Sequence, residues 1–332
     1  MSEKHSNISI FVPHIGCPNK CSFCDQRYIA GVSNAPHPED VEQAVITAVK
    51  SKKFNPKTTE IAFFGGSFTA INRNYMISLL EVASSFVKIG LVSGIRISTR
   101  PDNIDEEILM LLKSYNVTAI ELGAQSLNDR VLKLNNRGHS AQDVVKASTL
   151  IKKHGFELGL QIMTGLYADD NDSLERTAKK VIEIKPDTVR IYPTIVLMGT
   201  DLAGLFLDNK YKPQSLSEAV KMASKLYLMF TNAGIKVIRL GLHSVKEEAF
   251  VAGPWHPAFS ELCQSQIMLT KALTTLFDKG DYIIYVGKSD VSKMIGQGRK
   301  NIIFLKTRGF NCKVKVDESL SDLNLRIEKE VS

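Results

Sequence analysis

The sequence predicts an α/β fold, in which a partial (β/α)6 barrel of the TIM type precedes a small α+β module. Up to Leu240, short β-rich runs alternate with helical segments of about 10 to 15 residues, a pattern typical of βα units around a parallel sheet. Cysteines, glycines, amides and arginines follow the ends of these runs, and the loops after the strands of a β/α barrel share one face. A closed barrel or an open doubly wound sheet is the alternative. No Gly-x-Gly-x-x-Gly follows the first strand, which disfavours a dinucleotide-binding fold.

The individual elements follow from hydrophobic periodicity. Apolar runs predict barrel strands at 8–12, 60–64, 94–98, 117–122, 157–163, 187–192 and 235–240. Amphipathic segments predict helices at 39–53, 74–87, 104–114, 141–154, 173–184 and 216–232. We expect Asp102 or Asn103 to cap the third helix and Gly155 to end the fourth.

The remaining chain predicts a second, smaller unit. We expect the barrel to occupy residues 1–250, a connector and helix to occupy 251–278, and a basic module to occupy 279–332. The module reads as a strand, a short helix, a glycine turn, a second helix and a strand, over 281–286, 289–295, 296–298, 299–307 and 310–316.

Composition restricts the location and the class of protein. The 332 residues are 44% hydrophobic and 23% charged, as in ordinary globular proteins. No run of about 18 apolar residues predicts a membrane span, and the polar N-terminus lacks a signal core. The five cysteines are odd in number and three are clustered, which disfavours a disulfide framework. We therefore expect a cytoplasmic protein without a membrane partner.

Positive charge is concentrated near the C-terminus. Between Lys279 and Val316 there are nine lysines and arginines against two aspartates, which equals the whole chain's net charge of +7. A basic module beside a neutral body predicts a polyanionic partner, although a merely soluble basic domain has the same composition.

The most informative segment is Cys17-Pro-Asn-Lys-Cys21-Ser-Phe-Cys24, which directly follows the first strand. Three thiolates this close can bind one metal centre and leave a fourth coordination position open. The CxxxCxxC spacing, with Phe23 before the last cysteine, resembles the cluster motif of radical S-adenosylmethionine (SAM) enzymes. In those enzymes the free iron of a [4Fe-4S] cluster binds SAM. A three-cysteine zinc knuckle with a distant fourth ligand, or three unrelated thiols, is the alternative.

Glycines at the second strand exit are candidates for a SAM contact. Gly65 and Gly66 permit a ligand to approach backbone carbonyls closely. The segment resembles the Gly-Gly-Glu element that receives the SAM amino group. Because Ser67 replaces the acid, no carboxylate is available there, and backbone carbonyls must accept more of the hydrogen bonds from that amino group. A tight turn is the commoner reason for such glycines.

Arginine and glutamine side chains at later strands are further candidates. Arg100 follows the third strand and Arg137 follows the fourth, and either guanidinium can bind a carboxylate. Gln125 at a strand exit suits a ribose or substrate hydroxyl, and Gln161 inside the fifth strand requires partners if it faces the interior. Structural salt bridges and satisfied core amides are the alternatives.

Over about 230 residues the chain resembles the radical SAM domain of the Elongator catalytic subunit family. The matching segments are Phe63–Phe68, Ser98–Asp102, Glu121–Ser126, Asn136–His139, Tyr192–Thr194 and Gly199–Thr200. The resemblance implies that Cys17, Cys21 and Cys24 bind the cluster. It also implies that Gly65, Gly66, Gln125 and Arg137 line the SAM pocket.

Two departures limit this resemblance. The family spaces its first two cysteines more widely than this chain does. It also carries an acetyltransferase domain after the barrel, whereas about 90 residues follow Gly241 here. We therefore do not expect the family's two-step carboxymethylation of wobble uridine in tRNA to apply whole.

The basic module resembles a KH-type RNA-binding core, with Ile295-Gly296-Gln297-Gly298-Arg299-Lys300 at its centre. Such a core binds a single strand through the amides of its glycine loop and flanking basic side chains. Arg299 occupies the position of the second motif glycine, and Gly298 comes one residue early. The candidate RNA-binding residues are Lys293, Gly296, Gly298, Arg299 and Lys300; a docking or dimerisation module is the alternative.

These features together predict a radical SAM [4Fe-4S] enzyme that cleaves SAM reductively and modifies RNA, with tRNA the first expectation. A reductant such as flavodoxin or ferredoxin would supply electrons. A radical SAM enzyme acting on a small molecule such as a porphyrin precursor is the first alternative. A non-catalytic zinc or RNA-binding protein is the second.

Overall fold

The computed structural model describes residues 5–13, 17, 20–25, 34–242, 245–320 and 322–330. Seven parallel strands form one curled sheet: β1 (Ser6–Val12), β2 (Thr59–Gly65), β3 (Gly94–Thr99), β4 (Val117–Gln125), β5 (Glu157–Thr164), β6 (Thr188–Pro193) and β8 (Lys236–Leu240). A two-stranded antiparallel pair, β7 (Val196–Leu197) with β9 (Phe250–Ala252), lies beside it.

The predicted partial barrel is confirmed. Each strand of the large sheet pairs with its neighbour in chain order, from β1 through β6 to β8. A doubly wound sheet would instead reverse its strand order at a switch point. Because β1 and β8 do not pair within the described residues, the sheet is a half-barrel with two edges.

Helices cover the outside of the sheet. They are α1 (Pro38–Val49), α2 (Arg73–Lys88), α3 (Glu106–Ser114), α4 (Asp129–Leu134), α5 (Ala141–Lys153), α6 (Asn171–Ile184), α7 (Asp201–Leu207) and α8 (Leu216–Asn232). The start of α5 shows why the boundaries lie where they do, since Ser140 and Asp143 form a capping box there. None of the described helices is long and apolar enough to cross a bilayer.

The predicted cap of the third helix is wrong. The helix α3 begins at Glu106, and the Asp105 side chain caps it by accepting a 2.7 Å hydrogen bond from the Ile108 amide. Pro101–Asn103 forms a separate turn, and Asp102 is already paired with Arg100. The Asp102 carboxylate is therefore not available for capping.

The sequence pattern did not predict α4 and α7. These helices have six and seven residues, too few to show hydrophobic periodicity.

The barrel interior contains charged groups between its apolar layers. The Arg96 guanidinium bonds Glu60 at 2.8 Å and Glu157 at 3.0 Å, and approaches Glu121 at 3.5 Å. Arg190 binds both oxygens of Glu121, at 2.6 and 2.8 Å. Charges this deeply buried are tolerated only when they are paired and hydrogen-bonded.

The C-terminal module has its own small sheet and core. The connector helix α9 (Phe259–Thr275) precedes the module, whose elements are β10 (Gly280–Val286), α10 (Val291–Ile295), α11 (Lys300–Thr307), β11 (Phe310–Val316) and β12 (Leu325–Lys329). The strand β10 lies between parallel β11 and antiparallel β12. Ile284, Met294 and Leu305 are fully buried in a core shared with α9. The predicted β-α-turn-α-β order is present. The additional strand β12 was not predicted, because charged residues interrupt its apolar pattern.

We predict that Glu60→Gln destabilises the protein in a pH-dependent way. Burial opposes ionisation of Glu60, but hydrogen bonds from His5 and Arg96 and the Arg96 charge lower its pKa to about 2 from 4.5. The ionised group therefore stabilises the fold above pH 4.5, and this contribution is lost as the pH falls towards 2. We expect the free energy of unfolding at pH 7 to fall by about 3 kcal/mol, and the deficit to shrink at pH 3.

Urea unfolding at both pH values measures this difference. Glu107→Gln is the matched control, because Glu107 pairs with Arg73 at the surface and exposed pairs contribute about 0 to 1 kcal/mol. A Glu60→Gln deficit of the same size at pH 7 and pH 3 would contradict the assignment.

Candidate functional site

The predicted site residues lie along one edge of the barrel. Cys17, Cys21 and Cys24 follow β1, Gly65 ends β2, and Gln125 ends β4. Because the carboxyl ends of parallel strands share one edge, these groups converge although they are distant in sequence.

The loop that carries Cys17, Cys21 and Cys24, called the thiol loop below, is anchored through Ser22. Its backbone amide donates to the Asn135 carbonyl at 3.2 Å, and its hydroxyl donates to Asn135 Oδ1 at 2.9 Å. The Ser22 carbonyl accepts from the Leu202 amide at 2.8 Å, near the start of α7. Asn135 is in turn held by its own amide group, which donates to the carbonyls of Val131 and Tyr167. The loop is therefore tied to the segments after β4, β5 and β7.

The three thiols share one electrostatic environment. Burial raises the pKa of Cys17, and the neighbouring Cys21 thiol adds to that effect. Burial likewise raises the pKa of Cys24, with further contributions from Cys21 and Cys17. A hydrogen bond from the Ser67 backbone opposes the shift at Cys17. The sulfurs are thus close enough to resist simultaneous ionisation unless positive charge joins them.

Proximity is not the same as a preformed ligand set. Within the described ranges, no three Cys, His, Asp or Glu side chains are already arranged as ligands of a metal ion. The assignment of Cys17, Cys21 and Cys24 as metal ligands therefore stays a prediction, supported by their shared environment.

Arg137 connects the thiol loop to the exit of β4. Its Nη1 donates to Cys21 Sγ at 3.1 Å, and its Nη2 donates to the Gly123 carbonyl. The residue is 6% exposed, and its Nε is a buried donor without a partner among the described residues. Its charge also lowers the pKa of both Cys17 and Cys24 against the effect of burial. Arg137 is thus a buried cation directed at the thiols.

The neighbouring strand β1 requires glycine at position 65, the last residue of β2. Gly65 has φ +115°, and a Cβ there would lie 2.6 Å from the Val12 carbonyl oxygen. The Gly66 amide donates to that same oxygen at 2.8 Å. Close approach of β1 and β2 therefore explains Gly65, whatever ligand contact it also makes.

The Ser67 side chain is directed into the protein. Its hydroxyl bonds Thr99 Oγ1 at 2.9 Å and accepts from the Arg100 amide at 3.2 Å. Ser67 is fully buried and ties the exits of β2 and β3 together. Its contribution to the thiol site comes from its backbone rather than its hydroxyl.

Arg100 is largely occupied by a structural ion pair. Its Nε and Nη2 bind the two oxygens of Asp102 at 2.9 and 2.8 Å. Its Nη1 is buried and has no partner in the described part of the chain. One donor of Arg100 therefore remains available to a ligand.

An apolar cavity of about 190 Å³ lies in the barrel next to Cys24 and Gly65. Its walls are Phe11, Phe23, Cys24, Phe64, Gly65, Ser98, Gln125, Gln161, Met163, Arg190, Tyr192, Pro193, Ile195, Leu197 and Leu242. Gln125 Oε1 is buried without a partner among the described residues. Gln161, by contrast, donates to Ser98 at 3.3 Å and to Glu121 at 3.1 Å. Of the two predicted glutamines, Gln125 has the unused hydrogen-bonding capacity.

Sequence reasoning missed two residues of the cavity wall and one residue that contacts the turn before Gln125. Arg190, bound to Glu121, and the partly buried Tyr192, whose pKa is raised by desolvation, line the cavity from β6. His139 lies behind Gln125 and bonds the Ala124 carbonyl at 3.2 Å. Charged residues inside otherwise apolar strands were the signal for the first, and the Asn-Arg-Gly-His segment was the signal for the last.

The glycine turn of the C-terminal module lies far from this cavity in sequence and has its own geometry. Gly296, Gly298 and Arg299 all have positive φ, at 76°, 59° and 60°. Arg299 thus adopts the conformation that favours glycine, at the position where the KH pattern has one. The buried Asn301 amide supports the turn by donating to the Lys293 and Met294 carbonyls.

The basic residues near this turn differ in their availability. Lys293 pairs with the buried Asp290 at 2.7 Å. Arg299 and Lys300 are exposed, and neither has an ion pair with another described residue. A phosphate would therefore meet Arg299 and Lys300 more readily than Lys293.

Two sequence models of protein families match successive parts of this chain. The sequence model described as "Radical SAM superfamily" matches residues 11–181, and that of the "Radical_SAM C-terminal domain" matches residues 186–268. The tRNA uridine(34) acetyltransferase of Methanocaldococcus jannaschii is 33% identical over 131 residues, covering 39% of this chain and 24% of that protein. Human Elongator complex protein 3 is 33% identical over 139 residues, covering 40% of this chain and 25% of that protein. The aligned part thus spans about a quarter of each of these relatives.

Solved structures show the same fold. The archaeal Elp3 of Methanocaldococcus infernus, lacking its N-terminus, superimposes with a TM-score of 0.66 at 22% identity. That match covers 81% of this chain and 63% of the other. Methylornithine synthase superimposes with a TM-score of 0.50 at 17% identity, covering 73% and 74%.

We predict that Asn135→Ala loosens the thiol loop. The substitution removes the acceptor of the Ser22 hydroxyl. It also removes the two hydrogen bonds that the Asn135 side-chain amide donates to backbone carbonyls. In the protein free of metal, we expect Cys21 to be alkylated about tenfold faster. The loss of about one net hydrogen bond lowers the free energy of local opening, so the thiol is exposed more often. Mass spectrometry of iodoacetamide-labelled protein measures the rate.

Asn136→Gly is the matched control, because the neighbouring Asn136 is exposed, bonds only Asp201 among described side chains and has φ 55°, a conformation that glycine also adopts. The buried Cys263 thiol reports global unfolding in the same sample. Equal acceleration at Cys21 and Cys263 would contradict local anchoring by Asn135.

Proposed function

Because the chain belongs to the radical SAM superfamily, we propose that it is a [4Fe-4S] enzyme that cleaves SAM reductively and modifies RNA, with tRNA as its substrate. The observation that carries this proposal is the position of Arg137 between the Cys21 sulfur and the exit of β4. One buried cation there serves both the proposed cluster and the proposed SAM pocket.

The residues at the barrel edge fit both cofactors of the superfamily. Three soft thiol donors beside a buried guanidinium suit an iron–sulfur cluster, which carries negative charge through its thiolates. Arg137 Nε, Gln125 Oε1 and Arg100 Nη1 are all buried polar atoms without partners among the described residues. Each such atom costs about 1–3 kcal/mol when left unpaired, and a polar ligand in this corner would satisfy them.

We assign each residue a role in this proposal. Cys17, Cys21 and Cys24 would hold the cluster, and when bound, the cluster and SAM supply reductive cleavage to a 5′-deoxyadenosyl radical. The carbonyls of Gly65 and Gly66 would accept hydrogen bonds from the SAM amino group. The unpaired donor of Arg100 and that of Arg137 would meet its carboxylate.

The cavity wall completes the proposed pocket. Gln125 would accept a hydrogen bond from a ligand hydroxyl or amino group. Gln161 would keep the Glu121 carboxylate in place beneath the cavity by donating to it. The phenylalanines of the cavity would exclude water from the reacting groups.

The proposed RNA substrate is supported by the relatives and by charge. The partial matches include tRNA uridine(34) acetyltransferases, whose names state a tRNA nucleoside. Arg299 and Lys300 adjoin a glycine turn within Lys279–Val316, a stretch with nine lysines and arginines against two aspartates. We propose that Lys293, Gly296, Gly298, Arg299 and Lys300 form the RNA contact, Lys293 only after release from Asp290.

The proposal also includes a reductant and a compartment. All five cysteines are free thiols, as iron–sulfur assembly requires. We therefore propose a cytoplasmic enzyme that receives single electrons from a carrier of the flavodoxin or ferredoxin type.

We predict that reduced, reconstituted protein converts SAM to 5′-deoxyadenosine. Substitution of Cys17, Cys21 or Cys24 by Ala should lower the yield to background, because each removes one cluster ligand. Liquid chromatography with mass spectrometry quantifies the product. Cys312→Ala is the control, since that thiol lies in the C-terminal module and should be dispensable. Absence of product from wild-type protein with an intact cluster would refute the enzymatic proposal.

We predict that the double substitution Arg299→Glu with Lys300→Glu weakens tRNA binding by at least about tenfold at low salt. It should also reduce the dependence of log Kd on log salt by about 2, since two phosphate contacts are lost. Filter binding across a salt series measures both quantities.

Lys52→Glu with Lys53→Glu is the matched control, because it reverses two exposed charges on the loop after α1. Equal losses in the two double variants would show that only net charge matters. Undetectable binding of tRNA to the wild-type protein would refute the RNA proposal and favour a small-molecule substrate.

A further inference from the structure

The strand β4 changes course just before it ends. Its register with β5 runs from Ala119 to Leu122 and resumes at Gln125 with a shift. Gly123 and Ala124 therefore have no partner in that register. Such a bulge releases backbone groups from the ladder and redirects the following side chain.

Two side chains from one short segment capture the released carbonyls. Arg137 Nη2 donates to the Gly123 carbonyl, and His139 Nε2 bonds the Ala124 carbonyl at 3.2 Å. The His139 side chain is 6% exposed, and burial lowers its pKa to about 4, with the Arg137 charge contributing. A neutral imidazole with its proton on Nε2 is therefore the donor to Ala124 near neutral pH.

The turn that follows is strained. Gln125 has φ +63°, and the Ser126 amide donates to the Ala124 carbonyl at 2.8 Å, two residues back. A bond of this span around a residue with positive φ is rare and unfavourable. Strain of this kind persists only where surrounding contacts enforce it, and it concentrates at functional sites.

The strained residue has a side-chain oxygen that no described residue binds. Gln125 lines the cavity wall, and its Oε1 is buried without a partner among the described residues. The Ala124 carbonyl thus accepts two bonds, one from the turn and one from His139, directly before this amide. Of these two side chains, Arg137 also contacts a thiol, whereas His139 contacts none among the described residues.

We propose that His139 is a positioning residue: by holding the Ala124 carbonyl it fixes the Gln125 turn and directs the Gln125 amide oxygen at a donor group of the ligand in the barrel. This inference rests on the proposed function in taking SAM as that ligand. His139 itself touches neither the cavity nor the thiols in the described contacts. His139 Nδ1 is also buried without a partner among the described residues, so the test must separate a direct contact of His139 with the ligand from an effect through Gln125.

A double-mutant cycle on SAM affinity tests this coupling. Equilibrium dialysis of reconstituted protein under anaerobic conditions would compare His139→Leu, His139→Gln, Gln125→Ala and the double variant His139→Leu with Gln125→Ala. We expect His139→Leu to weaken SAM binding about tenfold, by loss of one directing hydrogen bond. His139→Gln should retain affinity within about twofold, because its amide is also a donor.

The decisive comparison is the Gln125→Ala background. If His139 acts through Gln125, adding His139→Leu there should weaken SAM binding no further. An equal loss in both backgrounds would show an independent structural role and overturn the inference. A loss with His139→Gln equal to that with His139→Leu would also overturn it.

Amide hydrogen exchange tests the turn without any cofactor. In His139→Leu, the peptide over residues 122–128 should exchange about tenfold faster, because the Ser126 amide loses its enforced acceptor. The same peptide in His139→Gln, and the peptide over α8 in either variant, should match the wild type. Unchanged exchange at 122–128, or faster exchange everywhere, would overturn the inference. If wild-type protein does not bind SAM at all, the proposed function fails, and exchange alone decides whether His139 fixes the turn.

Discussion

The contact between the Arg137 guanidinium and the Cys21 sulfur, 3.1 Å long, is the interaction on which the candidate site depends. It places a buried cation beside three thiols whose burial otherwise disfavours ionisation. The same guanidinium holds the Gly123 carbonyl, so the thiol loop and the end of β4 are fixed relative to each other. Ser22 and Asn135 add a second link, between the thiol loop and the residues that follow α4.

Deeper in the barrel, a network of buried charges supports the cavity floor. Arg190 grips both oxygens of Glu121, and Gln161 donates to the same carboxylate. Arg96 continues the network to Glu60 near the other end of the strands. Such a network stabilises little compared with an apolar core, but its directional bonds fix side-chain positions. The cavity therefore has a rigid polar base and apolar walls.

The sequence sufficed for the fold because each barrel strand is an apolar run and each major helix is periodic, and parallel topology then places the strand ends together. It also sufficed to nominate Gln125 and Arg137, which the structure brings to one corner. It did not reveal the partners of Ser67, since its hydroxyl bonds Thr99 across the sheet. Nor did it reveal the strained turn at Gln125, which depends on a register shift and on His139. Long-range register is a tertiary property that local residue patterns do not encode.

We propose that Cys17, Cys21 and Cys24 hold a [4Fe-4S] cluster whose open iron binds SAM. Electron paramagnetic resonance of anaerobically prepared, reduced protein, with iron and sulfide analysis of the same sample, tests it most directly. We expect about four iron and four sulfide per chain, and a reduced-cluster signal that shifts when SAM is added. A single zinc per chain, or a cluster signal that SAM leaves unchanged, would contradict it.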